Sequence, residues 1–169
     1  MRRTVSNSSF SNDEAEALAF GARLLSVWAD DDLARPCLAA LAKLRAVLPD
    51  KAVRASERQL IIAPEAVRRQ RPAVSLTTVK RAIESRHVVR FIYTDVRGRR
   101  SERRVRPLAL SFFGPVWLLL AWCEDRQDFR NFRLDLVANF RVTDETFREE
   151  PGRRVADYLK RERLRAAEG

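Results

Sequence analysis

At Val88 the apolar period of the chain changes from helical to strand-like, so helices belong before that residue and a sheet after it. The strands read as 88–94, 102–112, 115–123, 129–135 and 138–143. Turns fall at Asp95–Arg100 with Gly98, at Phe113–Pro115, at Glu124–Asp128 and around Ala138-Asn139. Short strands at this hairpin spacing predict a small antiparallel barrel. With helices on either side, the fold class is α+β. The most informative stretch is Gly98 to Phe132, GRRSERRVRPLALSFFGPVWLLLAWCEDRQDFRNF, where two apolar aromatic runs meet at Gly114-Pro115 between flanking arginines.

Ahead of the sheet, Ser11-Asn12-Asp13-Glu14 reads as a capping box. Leu18, Ala22, Leu25 and Trp28 follow at helical spacing and predict a helix over 12–28. Asp30-Asp31-Asp32 suits the dipole at the start of a second helix, with Leu33, Cys37, Leu41, Leu44 and Leu48 as its stripe. Pro36 is expected in its first turn, and Pro49 marks its end. Residues 1–50 thus form a helical hairpin. Residues 51–74, with Pro64, Pro72 and one apolar run at Leu60-Ile61-Ile62, read as a linker with a stray strand. Ser75 caps a third helix that leads into the barrel, 75–147, and residues 148–169 give a last helix with a charged tail.

Charge is uneven along these parts. Residues 51–147 hold 20 Lys and Arg against 11 Asp and Glu, whereas residues 1–50 hold 6 against 7. A polyanionic partner for the middle part follows. The chain shows no apolar run long enough to span a bilayer and no secretory h-region, and Cys37 and Cys123 suit free thiols in a reducing compartment. A cytoplasmic protein without a membrane partner is expected. Catalytic patterns are missing: one His and two distant Cys make no zinc site or nucleophile pair, and neither GxGxxG nor GxxxxGK occurs. No cofactor is implied. The residues point to binding rather than catalysis.

Alternation along a strand puts Arg104 and Arg106 on one face and Arg103 on the other with Val105. In the later hairpin Arg130 shares a face with Phe132, and Arg133 with Phe129. Guanidinium forks grip phosphate and aromatic rings stack on bases, so Arg103, Arg104, Arg106, Arg130, Arg133 and Trp117 are the candidate ligand-binding residues. Trp117 also suits a structural place in the core.

The run Gly114 to Cys123, followed by Asp128-Phe129-Arg130-Asn131-Phe132-Arg133-Leu134-Asp135, resembles the WYL domain of YafY-like bacterial transcriptional regulators. Tyr93, Gly98, Glu102-Arg103 and Arg106-Pro107-Leu108 fit the same pattern, residues 10–49 resemble the helical region before that domain, and the ending 151–159 is also similar. The resemblance implies an Sm-like or SH3-like barrel that senses an effector, with single-stranded nucleic acid or a cyclic dinucleotide as the anionic ligand, and a homodimer formed through the helical hairpin. Arg103, Arg130 and Arg133 carry over as ligand-binding residues. The departures are Leu118 in place of the motif's Tyr and Leu136 in place of an Arg. The nine residues before Phe10 hold no helix-turn-helix, so promoter DNA is a partner only if that element is supplied elsewhere. The alternative is a structural dimerisation module with a degenerate site. A sequence-independent RNA binder rests on fold analogy alone.

Overall fold

A computed structural model describes residues 11–46, 72–113 and 116–168. Two compact units divide between Arg69 and Gln70. In the first, α1 (Asn12–Trp28) begins at the capping box: the Glu14 N–H donates to Ser11 Oγ at 3.2 Å, and the Ser11 N–H to Glu14 Oε2 at 2.7 Å. Asp30 accepts from the Leu33 N–H at 3.1 Å and starts α2 (Asp31–Arg45). The buried face of α1 is Ala15, Ala19 and Ala22; of the expected stripe Ala22 is buried, Leu25 and Trp28 are half-buried, and Leu18 is 46% exposed. Leu41 and Cys37 of α2 pack on Ala19 and Ala22. Side-chain size at the contact sets how closely helices approach, and the small Ala19 and Ala22 suit a close one. Pro36 lies in the second turn of α2 rather than the first, so it removes one hydrogen bond of the helical ladder. The linker expected at 51–74 and its stray strand fall largely outside the described residues.

The second unit is α+β: α3 (Leu76–Glu84), five antiparallel strands and α4 (Val155–Glu168). Ser75 caps α3 by accepting from the Thr78 N–H at 3.3 Å, and Leu76, Val79 and Ala82 are its buried face. The strands are β1 (His87–Thr94), β2 (Arg100–Phe113), β3 (Val116–Cys123), β4 (Asp128–Arg133) and β5 (Val137–Thr146), in the order β4-β3-β2-β1-β5. β2 serves two ladders. Its residues Arg100 to Val105 pair with β1 and Val105 to Phe113 with β3, so Val105 stands between Val89 and Cys123.

The sheet coils strongly. Flat, β1 and β4 would lie about 14 Å apart, yet the rings of Phe91 and Phe132 have centroids 5.1 Å apart. The outermost strands β4 and β5 are joined by the 3-10 turn Leu134–Leu136 alone. Four Cα steps reach at most about 15 Å, short of the roughly 19 Å across a flat five-stranded sheet. The expected barrel is therefore a coiled sheet, and among the described pairings no ladder joins β4 to β5. Phe91, Leu119, Leu134, Val89 and Val105 fill its inside and are fully buried. Burial contributes about 1.5–3 kcal/mol for each large apolar side chain.

Beyond longer strands at β2 and β5, two features differ from the sequence reading. The strand expected over 129–135 ends at Arg133, because Leu134 turns inward to fill the core and the chain must cross between sheet edges. Ala138-Asn139 is a bulge inside β5 rather than a turn. Arg90 pairs with Arg141 and Ile92 with Ala138, leaving Asn139 and Phe140 opposite Phe91 alone. Asn139 adopts φ 53°, a left-handed conformation that Asn tolerates better than most residues. The extra residue aims Phe140 at Phe91, with centroids 6.1 Å apart and the rings stacked.

On the other side of the sheet, Val155 and Tyr158 of α4 cover Leu120, Trp122 and Phe129. Arg161 lies over the Phe129 ring at 5.1 Å and reaches Asp128 at 2.6 Å. Cys37 and Cys123 are free thiols. No helix among the described residues is long and apolar enough to cross a membrane.

Candidate functional site

The five candidate arginines divide by register into two sets. Arg103 pairs with Phe91 and Arg130 with Ala121, on the face that also carries Val105, Leu119 and Phe132. Arg104 pairs with Arg90, Arg106 with Trp122 and Arg133 with Leu118, on the opposite face. The alternation expected for Arg103 against Arg104 and Arg106 is present. The five do not form one cluster.

The sets also differ in neutralisation. Glu124, in the turn after β3, takes hydrogen bonds from both Arg104 Nε and Arg106 Nε, the latter at 3.0 Å. Glu145 of β5 holds the outer nitrogen of Arg104 at 2.6 Å, and Glu150 holds Arg106 Nη1 at 2.6 Å. Burial works to raise the Glu124 pKa, but the two guanidinium groups outweigh it and hold the carboxyl below the usual glutamate range. Arg104 and Arg106 therefore staple β2 to the turn after β3, to β5 and to the segment before α4. Arg133 grips Asp135 with two hydrogen bonds, at 2.8 and 3.2 Å, and is about one-third exposed. Arg130 is 55% exposed and touches Asp128 only at 3.9 Å.

Arg103 stands apart. Among the described residues no carboxylate lies within ion-pair reach of it, and its Nε is buried without a hydrogen-bond partner. A buried donor left unpaired costs about 1–3 kcal/mol. Beside it the rings of Phe91, Tyr93 and Phe132 form an edge-on cluster, Tyr93 meeting Phe132 at 5.2 Å. Burial raises the Tyr93 pKa against a backbone hydrogen bond from Arg133, so the phenol stays neutral. The result is a fixed cation beside aromatic rings. Trp117, at the far end of the β2–β3 hairpin, is half-buried and its ring lies 5.2 Å from that of Phe112.

Sequence reasoning did not find the acidic partners. Glu124, Glu145 and Glu150 lie 18 to 44 positions from their arginines. Only the strand pairing brings them together. The aromatic company of Arg103 had one signal, Tyr93 two residues after Phe91 on the alternating face.

Residues 74–142 match the model of the WYL domain. They hold every strand of the coiled sheet except the end of β5, together with all six candidate side chains. Among solved structures, the chain is similar to proteasome accessory factor B/C (PafBC) of Arthrobacter aurescens, at 24% identity over 84% of this chain and 23% of that one, with a TM-score of 0.40. It is also similar to a CRISPR Cas-related protein, at 12% identity over 92% of this chain and 49% of that one, with a TM-score of 0.41. The chain thus spans about a quarter and about half of those two proteins.

Proposed function

We propose that this chain is the effector-sensing, regulatory part of a YafY-like bacterial transcriptional regulator, and that its WYL-type sheet binds a nucleic-acid or nucleotide-type anion. The observation that carries the reading is Arg103: a cation with a buried, unpartnered Nε, next to Phe91, Tyr93 and Phe132. Arg103 takes a phosphate oxygen and the exposed Arg130 a second one. Arg133, on the opposite face of the edge strand β4 and held by Asp135, meets only a further phosphate of a longer strand. Leu18 and Leu38 are 46% and 44% exposed, and they support homodimerisation through α1 and α2. Promoter DNA enters only where a helix-turn-helix is supplied elsewhere.

Fluorescence anisotropy with a labelled single-stranded oligonucleotide and a labelled cyclic dinucleotide, at low and moderate salt, tests this. The parent binds at least one probe, and Arg103→Ala/Arg130→Ala/Arg133→Ala loses that binding. For the oligonucleotide, the slope of log affinity on log salt falls by about 2 in the triple variant, since each strand phosphate contact contributes about 0.7. Binding of neither probe, or no loss in the triple variant, sinks the reading and leaves the structural dimerisation module as its successor.

A further inference from the structure

A concave site that Arg103 does not line offers a separate set of arginines. It is a cleft of about 390 Å³ where the end of α3, the middle of β2 and the segment joining β5 to α4 meet. Its volume falls within the range of small-ligand sites, about 300–1,000 Å³. Pro107, Leu108, Phe147 and Val155 give it an apolar lining. Five arginines line it as well, against only two carboxylates, Glu149 and Glu150. The WYL match ends at residue 142, so the α3 and β2 walls of this cleft lie inside the matched region and the segment from Phe147 on lies outside it.

The five guanidinium groups are held unequally. Glu150 takes both Arg106 and Arg153 at 2.6 Å, and Arg154 is held by Asp157 at 3.1 Å. Arg86 is held only by Glu149, at 3.0 Å, in a pair whose side chains are 55% and 58% exposed. Exposed pairs of this kind have small net value, so another anion exchanges into them readily. Arg148 lines the cleft and has no carboxylate within ion-pair reach among the described residues.

The backbone adds an independent observation. Arg86 follows the C-cap Ser85 of α3 and adopts φ 54°, at a helix end where glycine is the unstrained residue. Its carbonyl accepts the Phe147 N–H at 2.9 Å, which ties the wall of the cleft to this strained position. A residue held in a costly conformation, with its cation lining a cleft, points to function.

We propose that this cleft binds a small amphiphilic anion, with its phosphate or carboxylate head on Arg86 and Arg148 and its flat or aliphatic body on Pro107, Leu108 and Phe147. The Glu149 carboxylate occupies the head position until the ligand displaces it. No residue of the cleft belongs to the Arg103 site, so the two stand or fall separately.

Isothermal titration calorimetry on the full chain tests it, with inorganic phosphate, adenosine monophosphate and octyl phosphate as probes. At least one organic phosphate binds more than about tenfold tighter than inorganic phosphate. Arg86→Gly loses about tenfold of that affinity with an unchanged or raised unfolding temperature, because glycine accepts the left-handed backbone without strain. Arg148→Gln, at an exposed side chain, loses affinity too, and Glu149→Gln gains it by removing the competing carboxylate. The proposal is overturned if neither organic probe exceeds inorganic phosphate, or if Arg86→Gly and Arg148→Gln both bind as the parent does. Adenosine monophosphate ahead of octyl phosphate identifies a flat body, and the reverse order an aliphatic one.

Discussion

Glu124 carries two arginines on one carboxylate, and its side chain is only 19% exposed. Removing its charge leaves Arg104 and Arg106 short of an acceptor between strands. Glu124→Gln is expected to cost about 1–3 kcal/mol in urea unfolding. The pH dependence has a definite sign. The folded-state pKa of Glu124 lies below its unfolded value, as do those of Asp128, Glu150 and Asp157, each held down by arginine. Their contribution is fully present above the unfolded value, about pH 4, and is lost as pH falls through the folded one. Thermal unfolding of the parent drops in that acid window, and the drop is shallower in Glu124→Gln. An identical acid profile in the two proteins would contradict the pairing.

Between elements, local chemistry was legible and distant chemistry was not. The capping box at Ser11 and Glu14 sets the start of α1 at Asn12, as read from four consecutive residues. Ser11→Ala should therefore cost about 1 kcal/mol, read from helix content during thermal unfolding. The face α1 buries is legible only in part: Ala22 is buried as expected, Leu25 and Trp28 are half-buried, and Ala15 and Ala19 take the place that Leu18 was given. Asn139 gave a true backbone signal with two readings. A left-handed Asn serves a turn or a bulge equally well, and only the pairing of β5 with β1 chooses the bulge. The arginines were legible as a basic strand and alternated as expected. Their division into stapled Arg104 and Arg106 and unstapled Arg103 depends on carboxylates arriving from other strands, which no local window contains.

For the molecule as a whole, a net charge of +10 reads as a polyanion binder, yet much of the described positive charge is engaged within the protein. Ion pairs tie Arg104, Arg106, Arg133, Arg153, Arg154 and Arg161 to carboxylates. Under the proposed function, recognition belongs to Arg103, beside the aromatic rings of the coiled sheet, while Arg104 and Arg106 hold strands and the α4 segment together. Single variants in the oligonucleotide and cyclic-dinucleotide anisotropy assay separate these roles most directly. For whichever probe the parent binds, Arg103→Gln is expected to weaken binding by about 10–100-fold with its unfolding midpoint unchanged or raised. Arg104→Gln and Arg106→Gln lower the unfolding midpoint and, below it, bind within about threefold of the parent. Parent-like binding by Arg103→Gln, or an equal loss of affinity in all three variants, would contradict the account.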